Sequence, residues 1–106
     1  MSTRNDEIST PDECQTMRDV RRGVDAVDTA LVDLLKIRFG YMRAAARIKT
    51  DRDTVRDEAR KAAVVAAAVE QAKEAGLPEQ AIAALWDGLV EASIAYETDE
   101  WDRFRG

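Results

Sequence analysis

The sequence predicts an all-α fold of three helices with no sheet, the first helix being long. Apolar residues recur three and four positions apart instead of alternating, which is the helical period. Only 5 Gly and 2 Pro occur in 106 residues, and 45% of residues are hydrophobic, which favours an ordered chain. This length favours one domain. Residues 1–9 are polar and aperiodic, so we expect a disordered tail followed by a helical domain over 10–106.

The first helix is predicted from "TPDE", residues 10–13, to about Ile48. Thr10 suits the N-cap, Pro11 the first helical position, and Glu13 can close a capping box. The apolar stripe of this helix contains Met17, Val20, Val24, Val27, Leu31 and Leu34. A helix of roughly 35 residues is about 50 Å long. The rest of so short a chain cannot cover that stripe, so we expect a partner subunit.

Two further helices follow a polar loop over residues 49–57, which we interpret as a possible lid over a bound anion. Asp57 can begin the second helix, Gly76 suits its C-terminal cap, and Pro78 opens the third helix. The end, "EWDRFRG", is expected to fray. The inward face of the second helix is predicted to hold Val64, Val65, Ala68, Val69 and Ala72, and that of the third Ile82, Leu85, Trp86, Leu89, Val90, Ser93, Tyr96 and Glu97.

The composition excludes several kinds of function. A net charge of −5 with no basic run argues against nucleic acid as the partner. The chain has no His and no Gly-rich phosphate loop, so we expect no metal site, no cofactor and no histidine-activated nucleophile. Its apolar runs are too short to span a bilayer. No signal-peptide pattern is present and Cys14 is the single cysteine, which favours a cytoplasmic chain.

Four polar residues lie where apolar residues are expected or near such positions. Arg38 continues the stripe of the first helix, Ser93 and Glu97 lie one turn apart on the third, and Arg60 lies one turn before Val64 on the second. Each alone has an ordinary explanation, such as an arginine whose stem packs while its head reaches water. Together, arginines that face a carboxyl group need counter-charge. A small dicarboxylate would supply it, because a guanidinium binds carboxylates in a bidentate fork.

Glu97 would be an unusual neighbour for an anion if it were ionised. Burial and nearby negative charge favour its neutral form, whereas the arginines oppose that effect. A protonated Glu97 can donate a hydrogen bond to an ether or carbonyl oxygen of the ligand. We therefore expect an activity that falls as the pH rises and Glu97 ionises.

The segments "DVRRGVD", "LLKIRFGYMRAAARIK" and "RDEAR" together resemble the all-helical chorismate mutases, a family that includes the isochorismate pyruvate lyases of salicylate biosynthesis. The resemblance runs from Thr10 to about Trp101. The opening "TPDEC" and the spacing from Lys49 to Arg60 look most like the lyase branch. The resemblance implies an intertwined homodimer with two sites, each built from both subunits.

Under this resemblance Arg21, in "DVRRGVD", reaches into the partner's site. Geometry agrees, because Arg21 and Arg38 lie seventeen residues apart, which is roughly 25 Å along a helix. They cannot hold one small ligand from the same straight helix. Antiparallel pairing with a second copy would bring the two arginines together.

The resemblance also implies roles for the remaining site residues. Arg38 and Arg60 would bind substrate carboxylates, and Lys49 a carboxylate and the ether oxygen that joins the enolpyruvyl group to the ring. Ser93 would line the pocket. Glu97 stands where many bacterial members carry Gln and fungal mutases carry a Glu that donates to the ether oxygen when protonated.

One position departs from the mutase pattern. The acid that holds the substrate hydroxyl in mutases is here Lys61, which counts against a mutase. The neighbouring Asp57 or Glu58 is a possible substitute, and we include Asp57 among the predicted substrate-binding residues.

The favoured hypothesis is a chorismate mutase with Lys49, Glu97 and Arg38 as catalytic residues. Conversion of chorismate to prephenate needs a folded substrate and stabilised charge on the ether oxygen, and no nucleophile, metal or cofactor. The alternative is an isochorismate pyruvate lyase, with dual activity also open. A mutase acting on 4-amino-4-deoxychorismate is not excluded. The rival from another class is a non-catalytic helical dimer, whose arginines would pair with its own acids.

Overall fold

The computed structural model describes residues 8–106, and it confirms the predicted all-α class. Over this range the chain forms three α-helices and no strand: α1 (Met17–Ile48), α2 (Glu58–Ala75) and α3 (Glu79–Arg105). Short 3-10 turns precede α1 at Pro11–Glu13 and α2 at Arg52–Thr54. No helix in the described range is long and apolar enough to cross a membrane. Of the predicted disordered tail, residues 1–7 lie outside the described range.

The predicted start of α1 was wrong by six residues. The Thr10 N–H donates to Glu13 Oε1 at 3.1 Å, as expected of a capping box, but the turn it begins ends at Glu13. The next residue, Cys14, has an extended backbone with ψ of 134°, which is incompatible with a continuing helix.

A second capping arrangement begins α1 itself. Thr16 Oγ1 accepts a hydrogen bond of 3.1 Å from the Asp19 N–H, and the Asp19 carboxylate accepts one of 3.0 Å from the Gln15 N–H. These hydrogen bonds satisfy backbone donors at the helix N-terminus. The Gln15 N–H, foremost, holds the pKa of Asp19 below its usual value.

The chain divides into two compact units, one that ends at Arg38 and one over Phe39–Gly106. Within the first unit, α1 carries its apolar stripe in solvent: Leu31 is 51% exposed and Leu34 is 61% exposed. The other exposed members of the stripe are Met17, Val20, Val24 and Val27. The protomer therefore leaves the predicted stripe uncovered.

Within the second unit, the predicted ends of α2 are confirmed. The Asp57 carboxylate caps the helix by accepting from the Arg60 N–H at 3.0 Å. Gly76 ends it with φ of 73°, a left-handed conformation that glycine adopts without steric cost. The Leu77 N–H then donates to the Ala72 carbonyl at 2.8 Å, which is the 6→1 bond of a Schellman motif. Pro78 directly precedes α3, as predicted.

The apolar core of the described chain is small, because α2 packs on α3 largely through alanines and valines. The predicted inward face of α2 is buried or half-buried throughout. On α3 the prediction failed at Leu85, which is 62% exposed. The buried apolar residues are Ala46, Val55, Ala68, Ala72 and Val90.

Candidate active site

Lys49 and Glu97 form the centre of the candidate site. Lys49 directly follows the last residue of α1, and its N–H continues the helical pattern by donating to the Ala45 carbonyl at 2.9 Å. Glu97 lies on α3 and is only 4% exposed. The Lys49 Nζ lies 2.7 Å from Glu97 Oε2, so a lysine at the end of one helix makes an ion pair with a buried acid of another.

The Glu97 Oε2 atom is not satisfied by ordinary hydrogen bonding. It is fully buried, and among residues 8–106 it accepts no hydrogen bond of normal geometry, although the ammonium of Lys49 lies within ion-pair distance. Buried polar atoms are nearly always hydrogen-bonded, and the exceptions concentrate where function requires them. The Lys49 ammonium is therefore the group that offsets the burial of this carboxylate oxygen.

Ser93 lies one turn before Glu97 on α3 and is equally buried, at 4% exposure. Its hydroxyl donates to the Leu89 carbonyl at 2.7 Å, one turn earlier in the same helix. The proton of Ser93 is thus committed to the helix backbone. The structure brings Lys49 to Glu97, with Ser93 one turn away on α3, and the roles of these three residues in a site remain predictions.

Lys61, the residue that departs from the mutase pattern, is committed to acids of α3. Its Nζ lies 2.7 Å from Glu91 Oε2 and 3.0 Å from Asp87 Oδ1. Arg56 also binds Glu91 through Nη2 and Nη1, at 2.7 and 3.1 Å. The hydrogen bonds from Arg56 and then Lys61 lower the pKa of Glu91 to about 2, and those from Glu91 and Asp87 raise the pKa of Lys61. Lys61 therefore has a structural role in this network.

The two predicted site residues at the start of α2 have different environments. The Asp57 carboxylate is occupied as the N-cap, so its predicted contact with substrate remains a prediction. The Arg60 side chain is exposed at one end of an open groove of about 500 Å³ between α2 and α3, which Ile82 and Trp86 also line. No acid of the described residues pairs with the Arg60 guanidinium.

The two predicted site arginines of α1 belong to the unit that ends at Arg38. Arg21 is exposed, and among residues 8–106 no acid forms an ion pair with it. Arg38 is half-buried on the apolar stripe. Their predicted roles in binding remain predictions, because one chain does not test a site that two copies are expected to share.

Sequence reasoning missed two contacts of Tyr96, one polar and one aromatic. Arg43 Nη1 donates to the Tyr96 hydroxyl at 2.8 Å, and the Phe39 ring meets Tyr96 edge-on with centroids 5.0 Å apart. Phe39 and Arg43 lie one turn apart on α1, so their spacing could have suggested a shared target. The contacts made by the end of α3, which was expected to fray, were also missed.

The comparison with protein families agrees with this geometry. The chain matches the chorismate mutase type II family over residues 20–98 and therefore belongs to that family, whose members are enzymes acting on chorismate-like molecules. A particular relative is an isochorismate pyruvate lyase of Pseudomonas aeruginosa. It is 28% identical over 99 residues, which cover 93% of this chain and 98% of the relative. The predicted family is confirmed.

Proposed function

We propose that this protein is a chorismate mutase, which converts chorismate to prephenate without a cofactor in a site shared by two subunits. The observation that carries the proposal is the ion pair between the half-buried Lys49 and the buried Glu97, with Nζ and Oε2 2.7 Å apart. Both side chains can donate hydrogen bonds, Lys49 as an ammonium and Glu97 as a protonated acid. Two such donors suit an ether oxygen that gains negative charge.

The chemistry requires little more than orientation and electrostatics. In the rearrangement the carbon–oxygen bond of the ether breaks while a carbon–carbon bond forms, and no proton is transferred to the protein. Holding the enolpyruvyl arm over the ring lowers the entropic barrier. Donors aimed at the ether oxygen stabilise the charge that develops as its bond breaks. A protonated Glu97 would donate a hydrogen bond to that oxygen, whereas its carboxylate could only accept one.

Two arginines supply unpaired positive charge for the substrate carboxylates. Arg21 and Arg60 are exposed, and neither forms an ion pair with an acid among residues 8–106. In the non-catalytic alternative, these arginines were expected to pair with acids of the protein itself. The absence of such pairs at Arg21 and Arg60 among the described residues favours an anionic ligand.

A second copy of the chain is the proposed partner for α1. Its stripe from Met17 to Leu34 is exposed in the protomer, and water does not stabilise so long an apolar face. Antiparallel association with the same stripe of a second copy would bury both faces at once, as an isologous dimer does. It would also bring Arg21 of one copy to the site of the other, which is the arrangement that the family resemblance implies.

An isochorismate pyruvate lyase is the second candidate. The relative from Pseudomonas aeruginosa carries that name. Lys61 stands where the mutase resemblance implies an acid for the substrate hydroxyl, and its ammonium is bound to Glu91 and Asp87 instead. In the lyase reaction the same ether bond breaks, while a ring hydrogen moves to the methylene carbon of the enolpyruvyl group. The products are pyruvate and salicylate. The Lys49–Glu97 pair serves the ether oxygen equally in either reaction.

The deciding experiment is an assay of the purified protein with chorismate and with isochorismate separately. We expect prephenate from chorismate at a catalytic rate. Salicylate and pyruvate from isochorismate alone would replace the mutase by the lyase. No turnover of either substrate, together with no calorimetric binding of a cyclic dicarboxylate ether analogue, would instead support a non-catalytic dimer. Lys73→Ala is the control variant, because Lys73 lies exposed on the last turn of α2.

A further inference from the structure

The end of α3 binds the end of α1 through one arginine. Arg105 Nη1 donates to the Ala46 carbonyl at 2.9 Å, and Nη2 reaches the carbonyls of Arg47, at 3.5 Å, and Lys49, at 2.5 Å. The last carbonyls of an α-helix have no partner within the helix. A guanidinium supplies several donors at a fixed spacing, and its positive charge is favourable at the negative end of the helix dipole.

Trp101 contacts the same point from the same face of α3. Its indole Nε1–H donates to the Lys49 carbonyl at 3.1 Å. The Arg105 guanidinium lies over the Trp101 ring, 4.2 Å from the centroid, in a cation–π contact. One carbonyl, that of Lys49, therefore receives hydrogen bonds from both side chains. The ring contact in turn fixes the orientation of the guanidinium.

A third residue of this helix turn binds the loop just beyond Lys49. The Asp102 carboxylate accepts two hydrogen bonds from Arg52, at 2.8 and 3.1 Å. The hydrogen bond from Arg52 keeps the pKa of Asp102 below its usual value. The chain is thus attached to α3 through backbone carbonyls before and at Lys49, and through the Arg52 side chain after it.

Glu97 and Trp101 lie four residues apart on α3, so they share one face of the helix. That face holds both ends of one lysine: Glu97 meets its ammonium and Trp101 its backbone carbonyl. Lysine has a long, flexible side chain, and a fixed main chain limits the positions its ammonium can reach. An error of about 1 Å in such a group can lower the rate about 100-fold.

We propose that Trp101 and Arg105 are positioning residues that hold the Lys49 main chain and so place its ammonium for the reaction. This inference rests on the proposed function, in which Lys49 acts on the ether oxygen. Neither residue needs to touch the substrate. Both lie beyond residue 98, where the match to the family ends.

The test compares Arg105→Ala with the matched control Arg103→Gln. Arg103 lies on the same turn, but its guanidinium binds Glu100 and makes no contact with Lys49. For Arg105→Ala we expect kcat to fall about tenfold, with KM changed by less than about threefold, because only positioning for the transition state is lost. Arg103→Gln should keep the wild-type kcat. Trp101→Phe keeps the ring but removes the donor, so its kcat should fall between these two.

A double-mutant cycle separates positioning from general destabilisation. If Arg105 acts through Lys49, adding Arg105→Ala to Lys49→Ala should lower kcat no further. The proposal would be overturned if Arg105→Ala lowered kcat by the same factor in the Lys49→Ala protein as in the wild type. An unchanged kcat in Arg105→Ala alone would also overturn it. Melting temperatures above the assay temperature show that all variants are folded.

Hydrogen exchange separates this proposal from the proposed function, because it needs no turnover. Arg105→Ala should speed exchange of the backbone amides of Lys49 and of residues 50–55 relative to Arg103→Gln. If Arg105→Ala speeds exchange but the wild-type protein turns over neither substrate, the attachment stands and the proposed function is overturned. Unchanged exchange would overturn the attachment itself, whatever the activity.

Discussion

The first half of α1 and the unit over Phe39–Gly106 differ in what they leave unsatisfied. The first carries an exposed apolar stripe and Arg21, which pairs with no acid of the described residues. In the second unit, most charges near the candidate site are matched, as in the pairs of Lys49 with Glu97 and Arg52 with Asp102. The second unit therefore organises its own part of the site.

This difference indicates how the site is assembled. One chain can orient Lys49 against Glu97 without help, because α3 supplies both the carboxylate beside the Lys49 ammonium and the donors to the Lys49 carbonyl. It cannot cover its own α1. We interpret the first half of α1 as the part that requires a second copy to bury its apolar stripe. We interpret the second unit as the part whose site receives Arg21 from that copy.

The largest effect is expected when the α1 stripe is made polar. The double variant Leu31→Asp, Leu34→Asp would place four carboxylates in the proposed dimer interface, where their desolvation is unfavourable. We expect loss of the dimer in analytical ultracentrifugation and loss of all measurable turnover. Lys36→Glu, on the polar side of the same helix, should keep both. If the double variant were a fully active monomer, the first half of α1 would not need a second copy for activity.

Removal of the Lys49 ammonium tests the part of the proposed site that the unit over Phe39–Gly106 forms by itself. Lys49→Ala should lower kcat by about 100-fold or more with a smaller change in KM, because a donor to a developing oxyanion acts mainly in the transition state. Steady-state kinetics with the preferred substrate measures this, with Lys73→Ala as the control. A rise in KM at constant kcat would mean that Lys49 only binds the ground state.

The protonation of Glu97 should appear in the pH dependence of kcat. If the neutral acid donates to the ether oxygen, wild-type kcat falls as the pH rises and Glu97 ionises. Glu97→Gln keeps a neutral donor at every pH, so its profile should be flat and its kcat within about tenfold of the wild-type maximum. A wild-type profile that rises with pH would show that the carboxylate is the active form.

The smallest effect is expected at the ion pairs of Glu91, which take no part in the proposed chemistry. Because the folded-state pKa is lowered from 4.5 to about 2, the carboxylate stabilises the fold above pH 4.5, and this contribution is lost as the pH falls to about 2. Glu91→Gln should therefore melt a few degrees below wild type at neutral pH. The difference should vanish near pH 2, and a difference that grows in acid would contradict the assignment.

Local signals predicted much of the fold. Asp57 caps the start of α2 through its side chain, and Gly76 ends α2 through its left-handed backbone. Both features depend on a single residue type, and both predictions were confirmed. The start of α1 was missed because two cap signals compete: Thr10 begins only a 3-10 turn, and Thr16 begins the helix. Propensity alone does not rank two adjacent caps.

The site was predicted unevenly for a similar reason. Ser93 and Glu97 were found because they interrupt an apolar period, and Lys49 was found from the family resemblance. The contact of Arg105 with the Lys49 carbonyl joins residues 56 positions apart, and no periodic pattern reveals it. Leu85 was placed inward by period, yet one chain leaves it in solvent.

The most direct test of a shared site is complementation between two inactive variants. Arg21→Ala and Lys49→Ala are unfolded together in equal amounts, refolded, and assayed against each variant refolded alone. If Arg21 of one copy serves the site that holds Lys49 of the other, half of the dimers are mixed and each mixed dimer has one intact site. About one quarter of wild-type activity should then return. Activity no higher than that of the separate variants, in a sample shown to contain mixed dimers, would contradict a site built from two copies.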